Sequence, residues 1–347
     1  MNVLVIDDSA VMRLVTTEVL SREPGVTVTS AADPIVARDK MARSRPDVIL
    51  LDLEMPRMDG LTFLRKLMRD DPLPVVICSA FAERGSHQAL QALDAGALDV
   101  VAKPQAGVRE FLEESAVMLI DALRAAAEAG ARRRAPRPRA TLLPLPAAAG
   151  PRPRLVAVGS STGGPEALCV LLRSWPGDAP PMVIAQHMPA LFTGQFARRL
   201  DSLCACAVSE ARDGDELVAG RVLVAPGGRH LLVRRAGTRL FAQVADGPLV
   251  SRHRPSVDVL FESVAAAAGS GAVGALLTGM GDDGARGMRG LRSAGALTIA
   301  EDESTCVVYG MPRAAVELGA AELVLPLPAI AELLRQKASP QLPRREC

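Results

Sequence analysis

Ser161 stands at the centre of Leu155-Val156-Ala157-Val158-Gly159-Ser160-Ser161-Thr162-Gly163-Gly164-Pro165, an apolar run that breaks into glycines and then into a helix start. The spacing Gly159-x-Ser161-x-Gly163 is that of a nucleophile elbow. There, glycines permit a strained turn and lift a hydroxyl clear of a strand end. Pro165 suits the first helical position, and the N–H groups of such a helix start can hold an oxyanion. Two phosphate-binding patterns are excluded. A P-loop needs Lys directly after its second glycine, but Pro165-Glu166 follow Gly164; the dinucleotide fingerprint needs glycine where Ser161 stands. An ordinary tight turn onto a helix fits the same residues, so the serine must be judged by its partners.

A serine hydroxyl is a weak nucleophile at neutral pH and needs a base, which in turn needs an orienting carboxylate. His187, in Gln186-His187-Met188-Pro189, directly follows the apolar run Val183-Ile184-Ala185. In a βαβ pattern that strand end should neighbour the Ser161 turn. His230 opens a strand and reads as structural, whereas His253 lies in the basic loop Arg252-His253-Arg254 and could meet an acidic substrate or partner. For the carboxylate, Leu276-Leu277-Thr278-Gly279-Met280-Gly281-Asp282-Asp283-Gly284 is again an apolar run entering a glycine loop, and residue chemistry leaves Asp282 and Asp283 both open. The order Ser…His…Asp differs from those of the α/β-hydrolase, chymotrypsin and subtilisin classes.

A second constellation occupies the N-terminal third. Asp7, Asp8, Asp52, Ser79 and Lys103 each close or follow an apolar run. In an open parallel sheet, function collects at the carboxyl ends of strands. Carboxylates gathered there repel unless a cation sits among them, and an all-oxygen set suits Mg²⁺. With a lysine and a hydroxyl beside it, such a carboxylate is arranged to accept a phosphoryl group. Lys103-Pro104 is also a candidate cis peptide.

Around these residues, 1–122 alternates five apolar strand runs with helical patterns, which predicts a parallel sheet covered on both faces. The helical face at its end carries apolar residues at 108, 111, 112, 116, 119, 120 and 123. Residues 123–153 are rich in Arg and Pro without periodicity and read as a solvated linker. From 154 to about 340 a second α/β domain follows, with strands at Leu155–Val158, Met182–Ala185, Val222–Ala225, Leu231–Arg234, Ala272–Leu277, Ala296–Ala300 and Glu322–Leu325. With 49% hydrophobic residues but only seven Phe, one Tyr and one Trp, the cores must be built from Ala, Val and Leu. A net charge of +1 gives no argument for nucleic acid or a membrane surface. No apolar run has the length of a membrane span, and Met1-Asn2-Val3-Leu4 opens straight into a strand, which predicts no secretory leader. Six scattered cysteines fit a reduced, cytoplasmic chain, and Cys204-x-Cys206 is too short a pairing to claim a metal.

The stretches Val5-Ile6-Asp7-Asp8-Ser9-Ala10-Val11-Met12-Arg13, Leu51-Asp52-Leu53-Glu54-Met55-Pro56-Arg57-Met58-Asp59-Gly60 and Val101-Ala102-Lys103-Pro104 resemble the receiver domains of two-component response regulators. The resemblance implies a flavodoxin-like fold, phosphorylation on Asp52, Mg²⁺ held by Asp7, Asp8, Asp52 and the Glu54 carbonyl, and phosphoryl contacts from Ser79 and Lys103. Val100 departs from the pattern: such domains commonly carry Phe or Tyr there, and a valine has no ring to swing.

The second domain resembles the chemotaxis protein-glutamate methylesterases in its Gly-Ser-Ser161-Thr-Gly-Gly, Gln-His187-Met-Pro, Pro255-Ser256-Val257-Asp258-Val259-Leu260-Phe261, Thr278-Gly-Met-Gly-Asp-Asp283-Gly and Tyr309-Gly-Met-Pro stretches. The order of receiver, linker and catalytic domain strengthens the match. It implies a doubly wound α/β serine hydrolase with Ser161 as nucleophile, His187 as base and Asp283 as the carboxylate. It implies backbone oxyanion donors near Met280 and no cofactor in the catalytic domain. The implied reaction is hydrolysis of glutamate γ-methyl esters on chemoreceptor helices with release of methanol, and deamidation of receptor glutamines. A chemotaxis-type histidine kinase would be the phosphodonor, with no nucleic acid partner and no membrane insertion. The architecture predicts that the unphosphorylated receiver covers the Ser161 face. Two other readings are compatible with the motifs: an esterase for another acyl substrate, and a phosphorylation-controlled binding protein.

Overall fold

Apolar runs that end in acidic residues or glycines become parallel strands in both halves of the chain. The computed structural model describes residues 1–55, 59–79, 83–103, 109–134 and 152–339, and the chain divides into two compact units, Met1–Arg137 and Pro138–Cys347.

In the first unit the elements run β1 (Asn2–Ile6), α1 (Ala10–Ser21), β2 (Thr27–Ala31), α2 (Pro34–Arg43), β3 (Val48–Asp52), α3 (Gly60–Asp70), β4 (Val75–Ser79), α4 (Glu83–Asp94), β5 (Asp99–Ala102) and α5 (Arg109–Arg134). The five strands pair in parallel in the order β2-β1-β3-β4-β5. Val3, Val5, Val48, Leu50, Val76 and Val101 pack with Leu20 of α1 and Leu119, Leu123 and Ala126 of α5. Strand alternation turns Leu4, Ile6, Ile49, Leu51 and Ile77 to the opposite face, where they are equally buried. Two helix starts are set locally: Ser9 and Asp33 accept backbone N–H groups of the first turns of α1 and α2.

One expectation needs correction here. Helix α5 continues through residues 123–134, and Leu123, Ala125, Ala126 and Ala129 are buried. An alanine-rich stretch carries a helix without a conspicuous apolar stripe, because alanine has the best helix propensity and needs little space against a neighbour. The rest of the expected linker, 135–151, lies outside the described residues, as does Pro104 with its candidate cis bond. The described residues hold a cis peptide at Arg254–Pro255.

The second unit runs β6 (Leu155–Ser160), α6 (Gly164–Arg173), β7 (Met182–Gln186), α7 (Ala190–Asp201), β8 (Ala207–Glu210), β9 (Arg221–Val224), β10 (His230–Ala236), β11 (Arg239–Ala245), α8 (Val257–Ala268), β12 (Ala272–Leu276), α9 (Ala285–Ser293), β13 (Leu297–Glu301), α10 (Met311–Glu317), β14 (Leu323–Leu325) and α11 (Leu327–Ala338). Seven strands form a parallel sheet in the order β14-β13-β12-β6-β7-β9-β8. The expected strand at Leu231–Arg234 belongs instead to an antiparallel hairpin, β10 with β11, which forms its own two-stranded sheet. Leu231, Val233, Leu240, Ala242 and Val244 bury one side of that hairpin in the core built on Leu260, Phe261 and Val264 of α8. From β6 the chain winds to β7 on one side and later to β12 on the other. The carboxyl end of β6 is therefore the topological switch point, where open α/β sheets place their sites.

Candidate functional site

Both constellations lie at switch points. In the first unit, β1 and β3 are neighbours, and Asp7 and Asp8 follow β1 while Asp52 ends β3. Asp52 is 1% exposed, Asp7 is buried and Asp8 is exposed. Ligand oxygens of these three carboxylates lie within 4.8 Å of one another, a hard-oxygen set that fits a divalent cation. Lys103 Nζ reaches Asp52 Oδ2 at 2.7 Å and Asp7 Oδ2 at 3.0 Å. Asp52 Oδ1 also accepts the Glu54 amide at 3.1 Å. Burial raises the Asp52 pKa, against the pull of Lys103, and the nearby Asp7 charge adds to the rise. Burial works against the charge of Lys103, but Asp52 and Asp7 together hold its pKa above the usual lysine value. Ser79 Oγ is fully buried without a hydrogen-bond partner among the described residues. Val100 is buried within β5.

In the second unit the nucleophile turn is held from several sides. The Ser161 N–H donates to the Thr278 carbonyl (3.0 Å), and the His187 N–H to the Ser160 carbonyl (3.1 Å), so the ends of β12, β6 and β7 are tied together. Gly163 caps α6 with φ of 80°, a left-handed conformation that side chains disfavour. Gly279 is required for space, since a Cβ there would lie 2.7 Å from Ser161 Cβ. Gln186 locks the turn: its amide donates to the carbonyls of Ser161 and His187, while Ser160 Oγ donates to its Oε1 at 2.6 Å.

His187 and Asp283 are joined by a 2.8 Å bond from Nε2 to Oδ2. Asp283 also accepts from Val257 N (2.7 Å), Asp258 N (3.0 Å) and Ser256 Oγ (2.8 Å), all at the start of α8. Burial disfavours its charge, but the His187 ring and these amides hold its pKa below the ordinary carboxylate range. An ionised Asp283 fixes the proton on Nε2 and leaves Nδ1 as the lone-pair nitrogen. That Nδ1 is buried and has no hydrogen-bond partner among the described residues. Ser161 and His187 are each 8% exposed, so the pair meets solvent only through a small opening. Asp282, the residue's alternative, is exposed.

The structure adds residues that spacing alone does not mark. The His253 ring stacks on His187 with centroids 3.7 Å apart and planes 5° apart. Its Nδ1–H donates to the Ser251 carbonyl at 2.7 Å, and burial, aided by His187, pushes its pKa down to about 3. It is therefore a neutral ring. His230 is structural: it donates from Nε2 to the Pro248 carbonyl and accepts the Ser256 N–H at Nδ1. Glu301, buried at the end of β13, accepts Thr278 N at 2.8 Å and Thr305 Oγ1 at 2.9 Å, and burial pushes its carboxyl up to about 7. Thr278 relays that anchor, donating from Oγ1 to the Thr162 carbonyl (3.0 Å). The signal for Ser256 was present, since a serine before an apolar helix is an N-cap pattern; Glu301 carried none, because one acid at a strand end looks like any other.

Comparisons with known proteins show the family of each unit. The family described as CheB methylesterase matches residues 156–334, and the family described as response regulator receiver domain matches residues 3–114. A protein-glutamate methylesterase/protein-glutamine glutaminase of Anaeromyxobacter dehalogenans is 59% identical over 346 residues, covering 96% of each chain. One of Geobacter metallireducens is 50% identical, covering 96% of this chain and 98% of its own. The crystal structure of the Thermotoga maritima CheB methylesterase catalytic domain is 39% identical with a TM-score of 0.52, covering 53% of this chain and 98% of that one. With a receiver domain ahead of a methylesterase domain, the chain belongs to the CheB protein-glutamate methylesterase family.

Proposed function

We propose that this chain hydrolyses glutamate γ-methyl esters of chemoreceptors, and deamidates receptor glutamines, with Ser161, His187 and Asp283 as its machinery. The observation that carries the reading is the His187 ring: one nitrogen bound to Asp283, the other buried and unpartnered, on a residue whose own N–H is tied to the Ser160 carbonyl. Ser161 Oγ attacks the side-chain carbonyl while His187 Nδ1 takes its proton. The two ring nitrogens thus exchange the roles they have in the serine-protease template. Asp283 keeps the Nε2 proton in place and stabilises the imidazolium. Backbone N–H groups of the Thr162–Gly163 turn and of the Met280 loop would serve as the oxyanion donors. The proton on Nδ1 passes to the leaving methoxide, methanol departs, and water, deprotonated by the same nitrogen, releases the acyl group. For a glutamine the leaving group is ammonia.

Asp52 is the phosphorylation site in this reading, fed by a chemotaxis-type histidine kinase in the cytoplasm. Asp7, Asp8, Asp52 and the Glu54 carbonyl would hold Mg²⁺, which neutralises phosphoryl charge when bound. Lys103 and Ser79 would take the remaining phosphoryl oxygens. No helix among the described residues is long and apolar enough to cross a membrane.

The test is methanol release from methylated receptor membranes, with and without a small phosphodonor and Mg²⁺. Ser161→Ala should lose at least about 10³-fold in kcat. Asp52→Ala should keep basal release and lose the response to phosphodonor. Release that survives Ser161→Ala would sink the triad assignment, and a phosphodonor response without Asp52 would sink the phosphorylation site.

A further inference from the structure

Asp258 is 1% exposed in the first turn of α8 and is not itself hydrogen-bonded to Ser161 or His187. Its Oδ1 accepts the backbone N–H groups of Gly284 (2.9 Å) and Gly287 (2.8 Å), at the start of α9. Asp283, just before α9, reciprocates at the start of α8, where one of its donors is the Asp258 amide itself. Each helix therefore caps the other with a carboxylate, and Gly284 between them sits at φ of 93° with no room for a Cβ against Val257 and Leu276.

The other oxygen of Asp258 works in a second direction. Oδ2 accepts Arg286 Nε at 3.2 Å and Ser251 Oγ at 3.4 Å, and Arg286 Nη2 donates to Ser251 Oγ at 3.0 Å. Ser251 and Arg252 are non-glycine residues with φ of 48° and 67°, a strained pair that persists only where contacts hold it. The Ser251 carbonyl in turn receives the His253 ring proton, and that ring lies flat on His187. One buried carboxylate thus reaches the base twice: at its edge through Gly284 and Asp283, and at its face through Ser251 and His253.

We infer that Asp258 is the positioning residue of this site, setting the orientation of His187 through both routes. The inference rests on the hydrolytic reading of Ser161, His187 and Asp283 given above. An asparagine at 258 keeps an oxygen for the Gly284 and Gly287 amides but turns an N–H₂ group toward Arg286 and Ser251, so it loses the Arg286 pair and weakens the face route alone. Arg286→Met removes the guanidinium that bridges Asp258 and Ser251 and weakens the same route from the other end, leaving the 3.4 Å Ser251 bond as its direct link.

The experiment uses the full chain, methylated receptor membranes for kcat and KM, and a fluorophosphonate to label Ser161. Thermal melting accompanies each variant. Asp258→Ala should lower kcat 10- to 100-fold with KM within twofold, and slow labelling by the same factor. Asp258→Asn and Arg286→Met should each lower kcat three- to tenfold, and the double variant should lose no more than the worse single one, because both act on one route. Should Asp258→Ala fail to fold, this pair decides alone. Wild-type kcat in the pair, fully additive losses, or losses confined to KM would overturn the inference. A wild-type chain that the phosphonate does not label at Ser161 would overturn the hydrolytic reading itself, a distinct result.

Discussion

Asp52 and Asp283 are both buried aspartates at switch points of parallel sheets, each 1% exposed, yet the chain treats their charges in opposite ways. Asp52 is matched by a side chain, Lys103, which is shared with Asp7, and its pKa stays raised. Asp283 is matched by the amides and hydroxyl at one helix start and by one histidine, and its pKa is lowered. A lysine on a four-carbon stem can be displaced when a phosphoryl group and a cation arrive. Backbone amides cannot move without unwinding a helix. On the proposed reading, the carboxylate that takes up a phosphoryl group is matched chiefly by a movable side chain, whereas the one that orients a ring proton is matched chiefly by fixed amides. Glu301 is the third case: it has neither lysine nor helix start, only Thr278, Thr305 and their neighbours, and its carboxyl is pushed up to about 7.

Changing each carboxylate's partner should separate the three cases. The largest effect falls on the backbone-held site. Asp283→Asn keeps the shape but removes the acceptor that fixes the Nε2 proton, and kcat should fall about 10³- to 10⁴-fold in methanol release with the melting transition retained. A loss under tenfold would show that backbone geometry, not charge, is what His187 needs.

At the side-chain-held site the effect is on stability. Lys103→Met leaves Asp7 and Asp52 close together without their shared cation, which should cost about 3–5 kcal/mol in chemical denaturation with a chelator present. Millimolar Mg²⁺ should restore part of it by binding the native acidic cluster. Equal stability in chelator and in Mg²⁺ would remove the cluster as a cation site.

The smallest effect belongs to Glu301. Its folded pKa, about 7, lies above its ordinary 4.5, so its contribution is fully present below about pH 4.5 and is lost as pH rises through 7. By linkage this amounts to at most about 3 kcal/mol. His253 runs the other way: with a folded pKa of about 3 against 6.5, its share is present above pH 6.5 and is lost as pH falls. Denaturation of wild type and Glu301→Gln across pH 5 to 8 isolates the first from the second. The glutamine variant should lack the decline that wild type shows toward pH 7; parallel curves would refute the assignment.

Much of this was legible before any coordinates. Strand runs such as Val48–Leu51 and Leu155–Val158 declare themselves because a strand buried on both faces has no polar positions to spare. Ser161, His187, Asp7, Asp52 and Lys103 stood out only jointly, because each ends such a run on a strand near the others of its unit; any one of them alone looks like an ordinary strand-end residue. The continuation of α5 past Leu123 was not, since Ala125, Ala126 and Ala129 carry no strong periodic signal. The β10–β11 hairpin was not, because alternation within one strand says nothing about its partner.

Sequence alone determined which residue types stand at which strand ends, because burial period and turn chemistry are local properties of the chain. Residue chemistry left Asp282 and Asp283 open and the family resemblance pointed to Asp283; tertiary structure bonded Asp283 to His187, placed His253 on the His187 ring, and joined Asp258 to Gly284 and Ser251 across more than twenty residues in one direction and seven in the other. Those are pairings of groups distant in sequence or turned by a loop. A carboxylate's partners are set by which helix starts and amides the fold brings beside it, and no local pattern encodes that.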